Sequence, residues 1–346
     1  MQKLDALVLI CLPATSRLRI KIFVLLNQST LNNVETKKTN GLNRRDFLKG
    51  AAGLTAASFL AGMGGSRLWA AETVAGAPAI KLVTLNNGVK MPMLGFGTLY
   101  LNGAEGTQCV ADAISVGYRL IDTATIYGNE AAVDEGIRKS GINRKELFVT
   151  SKLWVDDSGY EGTKKAFATS LEKLGLDYLD LYLIHRPRGD VKGSWKAMEE
   201  LYKEGKIRAI GVSNFENKHL DELTTNFKVK PVINQIESHA FFQEEDARQA
   251  LNKYGIQMEA WSPFAQGRNG MFTNETIASI GKKHNKTNAQ VCLRWHFQRG
   301  VVAIPRTSKK AHMSENLQIF DFELNAAEMK TIAALELHKS QFPEWT

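Results

Sequence analysis

The chain has 346 residues, 44% hydrophobic and 23% charged, an ordinary globular balance. Its net charge of +8 is unevenly placed: residues 1–79 carry ten Lys/Arg against four Asp/Glu, and the remaining 34 basic and 32 acidic residues leave the body nearly neutral. That body lacks the basic excess of a nucleic-acid surface. Cys11, Cys109 and Cys292 are too widely spaced to suggest a zinc site or a redox pair, so no metal is expected.

In chain order, the first feature is a leader. Asn43 to Lys49 reads NRRDFLK, an Ala/Gly-rich apolar run follows over 50–65, and small residues cluster near Ala70, Ala71, Ala75, Ala77 and Ala79. A positive region, an apolar region and a small-residue cleavage region form a signal-peptide layout, and Arg44-Arg45 gives it a twin-arginine character. The expected division is a leader over 1–79, with its signal in 43–79, and a folded body over 80–346. The apolar run is too short and too rich in glycine for a stable membrane span. The expected destination is the periplasm; the alternative is a cytoplasmic enzyme with a disordered tail. Such leaders usually begin close to their arginines. Residues 1–42 therefore place the true start later, or leave the apolar segments 4–12 and 18–26 without an assigned purpose.

The body opens with LVTLNNGVKMP over 82–92, where Asn87-Gly88 between apolar flanks signals a hairpin. Strands are then expected at 93–98, 119–122, 147–152, 180–185, 207–212, 232–236, 257–261 and 301–304. Helices are expected at 103–116, 130–139, 163–174, 194–203, 217–224, 244–254, 273–284, 288–299, 309–319 and 326–336, with Phe167, Leu171 and Leu174 sharing one face and Trp195, Met198 and Tyr202 another. Cys109 and Cys292 fall in helices, as buried small apolar residues. Eight strand-then-helix units without a linker predict an α/β fold, a (β/α)₈ TIM barrel with an N-terminal β-hairpin and an extra C-terminal helix. The alternative, an open doubly wound sheet, would be supported by a dinucleotide fingerprint; Gly95-Phe96-Gly97 lacks its third glycine. No phosphate loop of the GxxxxGK[ST] type occurs either.

Active sites of such barrels gather at the carboxyl ends of the strands. Asp122 ends the second strand, Lys152 the third and His185 the fourth, and Tyr127 sits in the loop after the second. Singly, each has a plainer reading: a turn acid, a surface lysine, a buried histidine, a half-buried ring. Together they suit acid catalysis. Lys152 paired with Asp122 favours the phenolate and is expected to lower the Tyr127 pKa, making Tyr127 a proton donor near neutral pH. His185 can donate a hydrogen bond to a substrate carbonyl oxygen.

These residues, in GYRLIDTATIYGNE, VTSKLW and YLIHRP, resemble the catalytic tetrad of the aldo-keto reductases. AIGVSNF at 209–215, IPRT at 304–307 and EN at 315–316 extend the resemblance over about residues 80–340, and WSPFAQG at 261–267 is similar to bacterial 2,5-diketogluconate reductases. The resemblance implies reduction of a small carbonyl by NADPH, with NADH usable, and a monomer whose partner is its substrate. It assigns Ser213, Asn214 and Gln235 to the nicotinamide carboxamide and Trp261 to a ring stacked on the nicotinamide. Ser262, Pro263 and Gln266 would run along the pyrophosphate. Arg306, Thr307, Ser308, Lys309 and His312 would hold the 2′-phosphate, and Glu315 and Asn316 the adenine. Gly97 and Thr98 join the cofactor set, while Trp154, Leu99 and Arg186 join His185 around the substrate. Physical chemistry agrees at the phosphate: basic and hydroxyl residues open a helix whose amino end favours anions. Four residues depart from the family pattern. Leu99 and Arg186 stand where Trp is common, Asp134 where Gly is usual and His312 where Arg is usual. Two other classes remain open: a Schiff-base lyase using Lys152, and a nucleotide-binding module without turnover.

Overall fold

The computed structural model describes residues 81–345, and the leader with its arginine pair lies outside them. The hairpin forms as expected, β1 (Leu82–Thr84) pairing antiparallel with β2 (Lys90–Pro92). Gly88 turns the chain at φ 85°, in the left-handed region that glycine enters without steric penalty. Asn86 and Asn87 donate to the carbonyls of Pro231 and Arg208, which lie just ahead of two barrel strands. The hairpin therefore closes the amino end of the barrel and leaves the other end open.

Eight parallel strands follow. They are β3 (Phe96–Gly97), β4 (Leu120–Asp122), β5 (Phe148–Leu153), β6 (Leu181–Ile184), β7 (Ile210–Ser213), β8 (Ile233–Glu237), β9 (Gln257–Trp261) and β10 (Val302–Ala303), each hydrogen-bonded to the next. A parallel bridge from Leu94 to Ala303 joins the last strand to the first and removes the sheet edges. Between the strands run α1 (Gly103–Val116), α2 (Glu130–Ser140), α3 (Tyr160–Leu174), α4 (Val191–Lys203), α5 (Asn217–Asn226), α6 (Glu245–Tyr254), α7 (Glu275–His284) and α8 (Asn288–Gln298). α9 (Lys310–Leu317) and α10 (Ala326–Ala333) follow β10.

Two apolar layers hold this arrangement together. Inside the barrel, Leu120, Phe148, Leu181, Leu183, Ile233 and Val302 pack with Leu85 and Met91 of the hairpin. The opposite faces of the same strands, including Ile121, Val149, Tyr182 and Ile210, meet the helices. Strand alternation thus sends each residue either inward or to the helices. α3 buries Ala166, Phe167 and Leu174 on one stripe, and Gly175 ends it at φ 59°. α4 begins three residues ahead of its expected start, because Asp190 caps it by accepting from the Gly193 amide at 2.8 Å. Asp180, just ahead of β6, accepts from the Val149 amide at 2.9 Å and pairs with Arg144 at 2.7 Å and Arg208 at 2.5 Å. This buried acid lies at the amino end of the strands, away from the open end, where its ion pairs and hydrogen bond tie β5 and β6 together.

Cys109 on α1 and Cys292 on α8 are buried and free. No helix among the described residues is long and apolar enough to cross a membrane. After α10 the chain returns to the carboxyl end of the barrel. The Leu337 amide donates to the Phe241 carbonyl, Phe342 is buried against Trp261 with ring centres 5.3 Å apart, and a short turn over Pro343–Trp345 follows.

Candidate active site

Parallel pairing sets the geometry of the open end. Asp122 is registered with Thr150 on β5, Lys152 with Leu183 on β6, and Ser213 with Gln235 on β8. Lys152 is fully buried, with its Nζ 2.5 Å from Asp122 Oδ1 and 2.9 Å from the Thr123 carbonyl. Burial disfavours the ammonium, but the charge and hydrogen bond of Asp122 overcome it, so the Lys152 pKa is raised and the amine stays charged. Tyr127 sits in a short turn over Thr125–Tyr127, held by the Thr125 hydroxyl donating to the Lys152 carbonyl. Lys152 Nζ lies 5.1 Å from the centre of the Tyr127 ring.

The Tyr127 pKa moves upward, opposite to the sequence expectation. Burial of the phenol is the largest influence, and Lys152, which acts downward, cannot offset it because Asp122 already shares its charge. Tyr127 is therefore a phenol that keeps its proton in the resting state, above a cation positioned to stabilise the phenolate once that proton leaves. His185 is 6% exposed, its ring 5.9 Å from Tyr127 and 5.2 Å from Trp154, both edge to face. Burial, Lys152 and Arg186 push its pKa well below the usual imidazole value, so it is neutral at physiological pH. Its Nδ1 is buried without a hydrogen-bond partner.

A cavity of about 360 Å³ opens over this group. It is lined by Gly97, Thr98, Leu99, Asp122, Tyr127, His185, Arg186, Asn214, Gln235, Trp261, Ser262, Pro263, Gln266 and Arg306, all singled out from the sequence. Ser213 lies beneath the wall, its hydroxyl donating to the Gln235 carbonyl at 2.8 Å. Asn214 adopts φ 60° and accepts from the Trp261 indole at 2.9 Å, which fixes that ring at the rim. Ser262, Ala265 and Gln266 also have positive φ, a concentration of backbone strain along one wall of the cavity. Thr307, Ser308 and Lys309 continue from Arg306 to the amino end of α9, while His312 is exposed on that helix. Glu315 accepts from the Thr287 hydroxyl at 2.6 Å, and Asn316 is buried. Asp134 lies away from this group, on the surface of α2, where it pairs with Arg138 at 3.1 Å.

Tyr100 and Phe272, which also line the cavity, escaped the sequence reading, and so did two residues of more consequence. Glu259 on β9 is fully buried, shares the Gln235 amide with Asp122 at 3.0 and 2.9 Å, and has one carboxyl oxygen without a partner. Burial and the charge of Asp122 push its pKa up to about 8. Its signal was legible: Gln257, Glu259 and Trp261 alternate with buried Met258 and Ala260, which sends the acid into the barrel. Trp345 also lines the cavity, 5.9 Å from the Arg186 guanidinium. It arrives from the far end of the chain, and no local pattern announces it.

A closed (β/α)₈ barrel with a charged lysine–aspartate pair beneath a cavity-facing tyrosine and histidine defines an oxidoreductase of the barrel type rather than a dinucleotide-fold dehydrogenase. The comparisons agree. The family model described as the aldo/keto reductase family matches residues 93–337, and the chain belongs to that family. A second model, the twin-arginine translocation pathway signal sequence, matches residues 41–61.

Among its relatives, a glyoxal reductase from Bacillus subtilis is 52% identical over 255 residues, covering 73% of this chain and 92% of that protein. A crystal structure of an aldo/keto reductase from Brucella melitensis superposes with a TM-score of 0.71 at 45% identity, covering 74% of this chain and 99% of that one. An aldo-keto reductase from Bombyx mori, solved in complex with NADP, gives 0.72 at 33% identity, covering 76% and 94%.

Proposed function

We propose that the protein reduces a small aldehyde or ketone, sugar-derived or diketogluconate-like, to the alcohol with NADPH, and that Tyr127 delivers the proton. The observation that carries this reading is the stacking of roles at one cavity: a protonated phenol, a buried ammonium 5.1 Å from its ring, and a neutral imidazole at its edge. The nicotinamide, when bound, supplies the hydride. Tyr127 gives its proton to the carbonyl oxygen as negative charge develops there. Lys152, fixed by Asp122, stabilises the phenolate that remains. His185, kept neutral, donates a hydrogen bond that orients the carbonyl without competing as an acid.

The residues along the cavity suit a nicotinamide nucleotide. Trp261 offers a ring held in place by Asn214, and Ser213, Asn214 and Gln235 place amide and hydroxyl groups beside it. Arg306, Thr307, Ser308 and Lys309 supply charged and hydroxyl donors for a 2′-phosphate at the amino end of α9. A side chain at Gly97 would place its Cβ 2.9 Å from the Ile304 carbonyl, so bare backbone is required at that wall.

A Schiff-base role for Lys152 fits poorly. It needs an uncharged amine facing the substrate, whereas Lys152 is held charged beneath the cavity lining. We further propose that residues 1–79 are a leader exporting a folded barrel, residues 80–346, to the periplasm as a monomer. The reading is tested with a panel of small carbonyls and NADPH or NADH, following loss of reduced-nicotinamide absorbance. Turnover with NADPH, and slower turnover with NADH, supports it; no oxidation of either cofactor with any carbonyl overturns it.

A further inference from the structure

Arg186 follows His185 directly at the carboxyl end of β6 and lines the cavity together with Tyr127. It is only 7% exposed, and its guanidinium has no carboxylate partner among the described residues; the centre of the Trp345 ring lies 5.9 Å from it. Buried and half-buried arginines elsewhere in the fold are different. Arg299 pairs with Glu245 at 2.8 Å, Arg294 donates to the Ile319 carbonyl at 3.1 Å, and Arg144 pairs with Asp180. A buried charge ordinarily has a partner, because taking it out of water unpaired is unfavourable.

The charged residues that line the cavity are Asp122, Arg186 and Arg306. Asp122 is neutralised by Lys152, so among the described residues Arg186 is the cavity-lining charge beside the reacting group with no opposite charge paired to it. Burial and the neighbouring Arg188 push its pKa down and Tyr127 acts the other way, but a guanidinium stays charged at any physiological pH.

We propose that Arg186 binds a carboxylate of the substrate, so that the protein's substrates are short oxo acids, with an aldehyde or ketone a few bonds from the acid, rather than neutral aldehydes. This rests on the carbonyl-reductase reading above and adds the substrate class to it. The planar guanidinium matches a carboxylate with two parallel hydrogen bonds. His185 and Tyr127 would engage the carbonyl oxygen at the same time, so one substrate is held at two points and its reacting carbon is oriented.

The test compares matched pairs with NADPH: succinic semialdehyde against butanal, and 4-carboxybenzaldehyde against benzaldehyde. Each is measured on the full chain and on Arg186→Lys and Arg186→Leu. The expected result is a preference for the acid of about ten- to a hundredfold in kcat/KM, the range for a hydrogen bond to a charged group. That ratio should collapse in Arg186→Leu mainly through KM for the acids, and be partly kept in Arg186→Lys. Succinate should inhibit competitively against the carbonyl in the parent and lose this effect in Arg186→Leu. NADPH fluorescence titration establishes that each variant is folded, and the parent's own preference and its inhibition by succinate decide the matter if Arg186→Leu is not. Equal or better use of the neutral member, with no inhibition by succinate, overturns the proposal and leaves the carbonyl-reductase reading standing. No reduction of any of the four by a protein that reduces other carbonyls of the panel overturns this proposal alone, whereas no turnover with any carbonyl overturns both.

Discussion

Glu259→Gln isolates the least expected feature of the site. The carboxyl group is fully buried, 3.0 Å from the Gln235 amide, and shares that amide with Asp122. Its folded-state pKa is pushed up to about 8 from an ordinary value of 4.5. The folded protein therefore holds this proton more tightly than the unfolded chain does. The sign follows from linkage: stability falls as pH rises from about 4.5, where the unfolded glutamate ionises, to about 8, where the folded one does. At about 1.4 kcal/mol per unit of pKa difference, the full loss approaches 5 kcal/mol. Glutamine is the neutral isostere of the protonated acid, so it keeps the hydrogen bond to Gln235 and removes the titration. Urea unfolding of both proteins from pH 5 to pH 8 measures the difference. Glu259→Gln should gain roughly 3 kcal/mol on the parent across that range, most of it by pH 7. A difference that stays constant with pH would refute the claim that Glu259 is protonated in the folded barrel.

Replacing Arg44 and Arg45 by lysine should retain the protein in the cytoplasm, read by cell fractionation; an unchanged distribution removes the export proposal. His312→Arg restores a permanent cation beside the proposed phosphate pocket. It should raise the NADPH-to-NADH ratio of kcat/KM roughly fivefold, the worth of about 1 kcal/mol for an exposed ion pair. No gain would show that His312 does not face the 2′-phosphate.

Much of the fold was legible because its signals are local. Asn87-Gly88 marked the hairpin, and eight alternations without a linker marked the barrel. Once the strands were placed, their ends named Asp122, Lys152 and His185. The parts that stayed hidden depend on distance or on competition between effects. Trp345 reaches the cavity from the last turn of the described chain, a contact that no periodicity encodes. Glu259 was passed over rather than hidden: the alternation along its strand points it inward, but an acid in a short apolar strand is taken for a solvent-facing residue until the barrel closes around it. The Tyr127 pKa could not be signed from the neighbours alone. Lys152 pulls it down, but burial, a property of the assembled fold, pulls harder. Along the 261–273 wall the WSPFAQG motif pointed to Gln266, but the irregular turns over 265–273, with left-handed Ala265, Gln266 and Asn269, follow no pattern that a sequence shows.

The proton donor is the centre of the proposed chemistry, and Tyr127→Phe tests it most directly because the ring stays while the hydroxyl goes. NADPH binding is measured by fluorescence titration and turnover on the best carbonyl of the panel in the same preparation. Binding should be preserved while kcat falls about a hundred- to ten-thousandfold, the range for loss of a general acid. A phenylalanine variant that binds NADPH and turns over at a rate near the parent's would contradict the assignment.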